Sequence, residues 1–347
     1  MQKTCIFPAK YVRCRNASVL VLVLIVISAM TIVAFGLAYQ TRIEIRLSKS
    51  SSEQAILQNL ALSGLEAAKA ILSEKQLTAG QTARVCRYYP ADNNKSLFEQ
   101  LKLTLDEKIQ IDFWIEDESA FLDLNKSDSA VWENLPSFSR DKRACILDWI
   151  DTDFDTNPDG AEADYYERLG TPYNCKNASL LCLKELLFIK NITRGEYLGG
   201  LLTKITIYPD DIEQLFCNDL DQQVPFVNIF TTFGREKINI NTVSSRILSI
   251  LPGFDQQATD VVLAYRSGPD GTERTDDDRI FEKNEDILLI EGLTELQKEL
   301  LDQYCCFNSD TFRVFSLARN DHRVYLLMAV VKVVENESQV ICVERLL

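Results

Sequence analysis

Residues 17–39 read ASVLVLVLIVISAMTIVAFGLAY, an apolar run without a single charged side chain. At about 1.5 Å of rise per residue, a helix of that length crosses a hydrocarbon core of roughly 30 Å. Ahead of the run stand Lys3, Lys10, Arg13 and Arg15, and no acidic residue. Basic residues flanking an apolar span stay in the cytoplasm, which predicts a single-pass protein whose bulk lies on the far side of the membrane. A cleaved secretory signal would have an apolar region of only about 7–15 residues, closed by an A-x-A site. Neither feature is present. Cys5 and Cys14 precede the apolar run instead of following it, which excludes a lipoprotein anchor.

Beyond this stretch the helical pattern continues. No proline occurs over 40–73, and Leu57, Leu60, Ala61, Gly64, Ala68, Ile71 and Leu72 recur at three- and four-residue spacing. That is one apolar stripe of a helix. The sequence thus predicts one helix over 18–73, apolar all round at first and then one-sided, leaving the membrane to pack against its own domain. A polar stretch over 76–96, with Gly80, Pro90 and Asp92-Asn93-Asn94, reads as a loop. Residues 108–116 alternate apolar and polar as a strand should.

From about 127 to 304 the pattern is mostly helical. CILDWI, LLCLKELLFI, SSRILSIL, QATDVVLAYR and ELQKELLDQY are short amphipathic pieces separated by prolines, glycines and acidic loops. After Phe307 the segments 312–318, 323–334 and 339–344 are rich in β-branched and aromatic residues. Asn320-Asp321 and Asn336-Glu337 fall at their turns. The order is long helix, strand, helical insertion, terminal antiparallel sheet: an α+β fold.

Formal charge is −14 and pI about 4.7. Nucleic acid and anionic membrane surfaces demand clustered Lys and Arg, so neither is expected as a partner. An acidic chain suits contact with divalent cations. Eight cysteines follow the span: Cys86, Cys145, Cys175, Cys182, Cys217, Cys305, Cys306 and Cys342. In an oxidising compartment they permit disulfides, with Cys175 and Cys182 the closest non-adjacent pair in sequence; buried free thiols are the alternative. There is no C-x-x-C and only one histidine, His322, so zinc sites and thioredoxin-type chemistry lack support.

The sharpest chemical feature runs from Asp148 to Asp164. Asp151, Asp153, Asp155, Asn157 and Asp159 place oxygen side chains at every second position, Gly160 supplies a turn, and Glu162 follows. A hard cation that takes six to eight oxygen ligands fits such a run. The portion from Asp155 to Gly160 opens like an EF-hand loop, but Tyr166 occupies the position of the closing glutamate. Without a counter-ion so many carboxylates repel one another, and calcium is the expected ligand. A second acidic turn, with Asp270, Asp276 and Asp277, has similar chemistry and looser spacing.

Residues 238–266 resemble a helix-hairpin-helix unit. Its hairpin carries Gly253, but Asp255 stands where an exposed backbone should meet phosphate, so a structural hairpin is expected instead of a DNA clamp. Catalysis has little to stand on. The chain lacks G-x-S-x-G, H-E-x-x-H and Walker motifs, and His322 sits at a strand turn with no nucleophile beside it.

Several pieces, in order along nearly the whole chain, resemble general secretion pathway protein K, the large minor pseudopilin of type II secretion systems. They are the apolar helix, Asp117-Glu-Ser-Ala-Phe-Leu-Asp-Leu-Asn125, Asp148-Trp-Ile-Asp151, Gly160-Ala-Glu-Ala-Asp-Tyr-Tyr166, Lys184-Glu-Leu-Leu-Phe-Ile-Lys190 and Ile238-Asn-Ile-Asn-Thr242. The resemblance implies a pilin-like fold, a long helix on a small antiparallel sheet, with a large helical domain inserted between strands. The implied divisions are a basic cytoplasmic leader (1–17), a transmembrane part of the helix (18–39), the rest of the helix with the first part of the pilin-like domain (40–126), the insert with helix-hairpin-helix-like units and acidic loops (127–306), and C-terminal strands (307–347).

The resemblance also implies an inner-membrane anchor with a periplasmic bulk, calcium in the insert, and no enzymatic activity. It places the chain at the pseudopilus tip with other minor pseudopilins, above the major pseudopilin. A prepilin peptidase would cut between Ala17 and Ser18, followed by methylation of the new N-terminus. Most pseudopilins carry glutamate at mature position five; here Leu22 falls there, as the resemblance implies. Asn16-Ala17 lacks the usual glycine before the cut, and the eight cysteines exceed the family's pattern. Two other function classes compete: a calcium-dependent, membrane-anchored binding protein and a membrane-tethered hydrolase.

Overall fold

The computed structural model describes residues 16–74, 78–80, 83, 86, 109–135, 138–198, 225–272, 275 and 277–346. The loop expected over 76–96 and Cys217 lie largely or wholly outside these residues. The chain falls into two compact units, Met1–Ile56 and Leu57–Leu347.

The described residues of the first unit, 16–56, are helical. Helix α1 (Asn16–Glu74) begins in it and is long and apolar enough to cross a membrane. From Val19 to Leu47 its large apolar side chains are exposed. The hydroxyls within this surface are satisfied by the helix itself. Ser28 Oγ donates to Leu24 O at 2.8 Å, Thr31 Oγ1 to Ile27 O at 3.0 Å, and Thr41 Oγ1 to Leu37 O at 2.9 Å. Such back-bonding removes the cost of a free hydroxyl in hydrocarbon.

The second unit contains the end of α1 and, in chain order, these elements. Strand β1 (Gln110–Asp117) is followed by the short β2 (Leu122–Asp123) and helix α2 (Arg140–Ile150). Next come β3 (Phe230–Thr231), β4 (Ile238–Asn239), α3 (Ser245–Ser249), α4 (Gln256–Arg266), α5 (Asn284–Leu288) and α6 (Glu295–Tyr304). The chain closes with β5 (Cys305–Cys306), β6 (Thr311–Asn320), β7 (Arg323–Val334) and β8 (Glu337–Arg345).

One antiparallel sheet has the order β1-β6-β7-β8. Its two-residue alternation sends Phe113, Ile115, Val314, Leu327, Ala329 and Val331 to one face, where they pack with Leu57, Ala61, Leu65, Ala68 and Leu72 of α1. Each fully buried leucine on that stripe contributes about 1.5–3 kcal/mol. Gly64 lies against Ser316, and a Cβ there would collide with the serine hydroxyl, which is how the helix approaches the sheet so closely. Trp114, Phe315, Leu317 and Leu326 face the other way, into the core of the insert. Trp114 stacks on Phe315 across the β1–β6 pair, with ring centroids 5.0 Å apart.

Residues 118–310 thus separate two neighbouring strands of the sheet. The insert adds two small parallel ladders, β2-β3 and β4-β5, between its helices. The segment LLCLKELLFI, expected as an amphipathic α-helix, is instead a 3₁₀ turn over Leu183–Phe188. Its buried residues, Leu180, Leu186 and Ile189, are spaced by multiples of three, while Leu181 and Phe188 stay exposed. A repeat of three fits the tighter turn, and the extra leucines imitate a wider stripe than the site can bury.

Candidate metal centre

Helix α2 ends at Ile150, and its last turns carry Asp148, which is fully buried. Its carboxylate draws the following loop back onto the helix. Oδ1 accepts from the Asn157 backbone N–H at 3.1 Å and from the Asn157 side-chain amide, and Oδ2 accepts from Ala161 N at 2.7 Å. The turn is closed by Gly160 N donating to Asn157 O at 2.8 Å, with Asp159 in the left-handed region at φ 73°. Gly160 packs so tightly on the Asp148 carboxylate that a Cβ there would overlap it.

This folding gathers three of the expected ligands. Carboxylate oxygens of Asp151, Asp153 and Glu162 all lie within 4.8 Å of one another. Glu162 is buried and caps the one-turn helix Ala163–Tyr166 through a bond to Ala163 N. Asp151 Oδ1 and Glu162 Oε1 are buried and have no hydrogen-bond partner. The Asp151 carboxyl is pushed up to about 6, first by burial and then by the charges of Asp153, Glu162 and Asp148. Lys190 donates to Gly160 O at 3.0 Å and covers the Tyr165 ring, so its charge is directed to the loop backbone. Orphaned oxygens, mutual repulsion and an all-oxygen donor set fit a hard divalent cation such as calcium.

The remaining expected ligands stand elsewhere. Asp155 and Asp159 are exposed, and the Asn157 amide is committed to Asp148. One residue not anticipated joins the neighbourhood. Asn177, at φ 45°, donates its amide to Asp153 O while its own Oδ1 is buried without a partner. Only chain folding brings it to the loop; its asparagine in the left-handed region was the one local hint.

The second acidic turn is organised by hydrogen bonds. Asp277 accepts from Asp270 N at 3.0 Å and from Thr275 Oγ1 at 2.7 Å, and these bonds hold its carboxyl below the usual range. Asp270 Oδ1 accepts from Thr272 N at 2.7 Å. Asp276 lies outside the described residues. Among the described residues this turn forms no carboxylate cluster of the kind at Asp151.

Helices α3 and α4 form the hairpin read from the sequence. Gly253 turns at φ 76°, and Asp255 caps α4 by accepting from Ala258 N at 2.8 Å. Its carboxylate therefore occupies the helix N-terminus that a phosphate would need. His322 lies exposed in the β6–β7 turn. Ala17 and Ser18 lie in the first turn of α1.

Two of the motifs that carried the resemblance supply polar contacts, one set joining the sheet to the insert and the others holding the insert together. Asp117, at the end of β1, accepts from Ser119 N, Asn239 Nδ2 and Thr242 Oγ1 at 2.7–2.8 Å. Burial raises its carboxyl above the ordinary value despite those donors. Asn241 bonds Phe281 through both its oxygen and its amide, and reaches Phe307 O as well. Asn125 exchanges two bonds with the Leu180 backbone.

A helix-backed antiparallel sheet, parted by a large insert holding a carboxylate loop, is an α+β fold of the pilin-like class. Residues 135–210 match the family model described as type II secretion system (T2SS), protein K. Among solved structures, the chain is similar to one in the GspK-GspI-GspJ complex from the type 2 secretion system of enterotoxigenic Escherichia coli. That similarity has 15% identity and a TM-score of 0.50, covering 88% of this chain and 99% of that one. No match was found among curated proteins. The findings bear out the resemblance: residues 135–210 match the protein K model, and the expected α+β pilin-like fold is the one present.

Proposed function

We propose that this chain is a minor pseudopilin carried at the tip of a type II secretion pseudopilus. There it helps to initiate assembly for the export of folded proteins and has no catalytic role of its own. One observation carries the reading: residues 118–310 are inserted between β1 and β6 of a pilin-like sheet. An insert of that size on one face of a subunit suits the end of a filament better than its repeating shaft.

In this reading α1 anchors the chain in the inner membrane with its N-terminus cytoplasmic and the second unit in the periplasm. A prepilin peptidase processes it between Ala17 and Ser18. Its partners are counterparts of GspI and GspJ, and the major pseudopilin follows them. Leu22 takes the place of a glutamate that, in lipid, would be costly unless paired with a neighbour's amine. Without it the chain has less means of docking under a subunit already in place, and it enters first. Asp151, Asp153 and Glu162 hold calcium, whose charge offsets their repulsion and stiffens the loop beneath α2. The test is co-expression with the minor pseudopilins of the same system. A stoichiometric complex is expected, and a chain that purifies alone at every ratio contradicts the reading.

A further inference from the structure

Between the insert and the sheet lies a cavity with the buried Glu118 and Arg313 among its lining residues. From β8, the alternate residues Cys342 and Glu344, and Leu346 just past the strand end, line it. From the insert, Cys182 and Leu183 line the same cavity. The two segments are in step: Lys184 Nζ meets Glu344 Oε1 at 2.7 Å, each two residues beyond a cysteine.

Both cysteines are half-buried thiols. Both line the same cavity, and the Cys342 thiol is raised above its usual value first by burial and then by Cys182 and Glu344. Three other described thiols are engaged elsewhere. Cys145 and Cys175 donate to Asp159 O and Asp148 O beneath the acidic loop, and Cys306 to Lys237 O and Asn308 O. Cys175, nearest to Cys182 in sequence, is thus turned toward a different site.

We propose that Cys182 and Cys342 are a modification site, closing into a disulfide that fastens the insert to the last strand of the sheet. The oxidant is a disulfide carrier of the glutathione or protein-dithiol class. One cysteine thiolate attacks the carrier disulfide and releases the first carrier thiol. The second cysteine then attacks the mixed disulfide and releases the other. Two S–H bonds become one S–S bond, and the carrier takes up two electrons and two protons. The link closes a loop of about 160 residues, the kind of long closure that most restricts the unfolded chain. In the cell, closure rests on the periplasmic placement proposed above.

Peptide mapping of the full-length protein in detergent tests this. The protein is treated with glutathione disulfide, its free thiols are alkylated, and it is digested without reduction. The expected result is a linked peptide pair joining Cys182 to Cys342, lost on reduction and absent from Cys342→Ser. Recovery of both cysteines only as separate alkylated or glutathione-capped residues overturns the proposal. A far-ultraviolet spectrum of Cys342→Ser matching the parent's shows that loss of the link is not loss of the fold. The same mapping on protein quenched directly from cells separates the two readings. A pair that links readily in glutathione but is found as free thiols in cells upholds the pairing and refutes the periplasmic placement.

Discussion

Glu118 and Arg313 form a buried ion pair that bolts the insert to the sheet: Arg313 Nε meets Glu118 Oε1 at 2.9 Å, with both side chains almost wholly removed from solvent. Glu118 belongs to the short 3₁₀ turn leaving β1, and Arg313 to the strand paired with β1. The pair is completed by Thr231 on Glu118 Oε2 and by Val227 O accepting from Arg313 Nη1 at 2.9 Å. Desolvation is costly for both ions, so the pair holds because its remaining donors and acceptors are occupied.

Breaking that pair from one side strands a charge. Arg313→Met is expected to cost about 3–5 kcal/mol of stability, and the Glu118→Gln, Arg313→Met double variant less than the sum of its singles. Urea denaturation of the four-protein cycle measures this, and additive losses would show that the two side chains do not depend on each other.

Removing calcium is expected to lower the melting temperature of the second unit. Ligand at a hundredfold excess over Kd stabilises by about 2.7 kcal/mol. Asp151→Asn should raise the Kd and shrink the chelator effect, because Asp151 belongs to the cluster and its buried Oδ1 has no hydrogen-bond partner. A melting curve unchanged by chelator, with metal content checked by elemental analysis, would refute the site.

Gly160 separates loop geometry from ligand chemistry. Gly160→Ala inserts a methyl into the Asp148 carboxylate and should cost on the order of 2–4 kcal/mol while leaving every ligand in place. Gly271→Ala, at φ 69° with open space around it, should cost only about 1–2 kcal/mol from backbone strain. Thermal denaturation of the two variants ranks them directly.

Processing is the fourth expectation. N-terminal sequencing of protein from a host with the prepilin peptidase should begin at Ser18, with the apolar part of α1 retained. A start at Met1, or beyond Tyr39, would contradict it.

Periodicity made much of this fold legible. The stripe from Leu57 to Leu72, the alternation in β1 and the β-branched and aromatic enrichment of β6 and β7 each act within one element, so a single sequence carries them. Asp255 was legible as a bar to phosphate at the hairpin, while its capping of α4 came only with the structure. What escaped depends on residues distant in sequence. Asp148 opens the acidic run, but its role of holding Asn157 and Ala161 is set by how the loop returns. Alternate spacing made Asp155 and Asp159 look like ligands, whereas the return brings only Asp151, Asp153 and Glu162 together. Asn177, and the pairing of Cys182 with the β8 side of the cavity, required the insert to be folded against the sheet.

The central claim is tip placement, and labelled electron microscopy of assembled pseudopili tests it most directly. A small tag is placed on this chain, and pseudopili are overproduced with the full set of pseudopilins and sheared from the cells. The account predicts one label per filament, at one end, and no filaments when this chain is expressed alone. Label repeating along the shaft, or filaments built from this chain by itself, would contradict it.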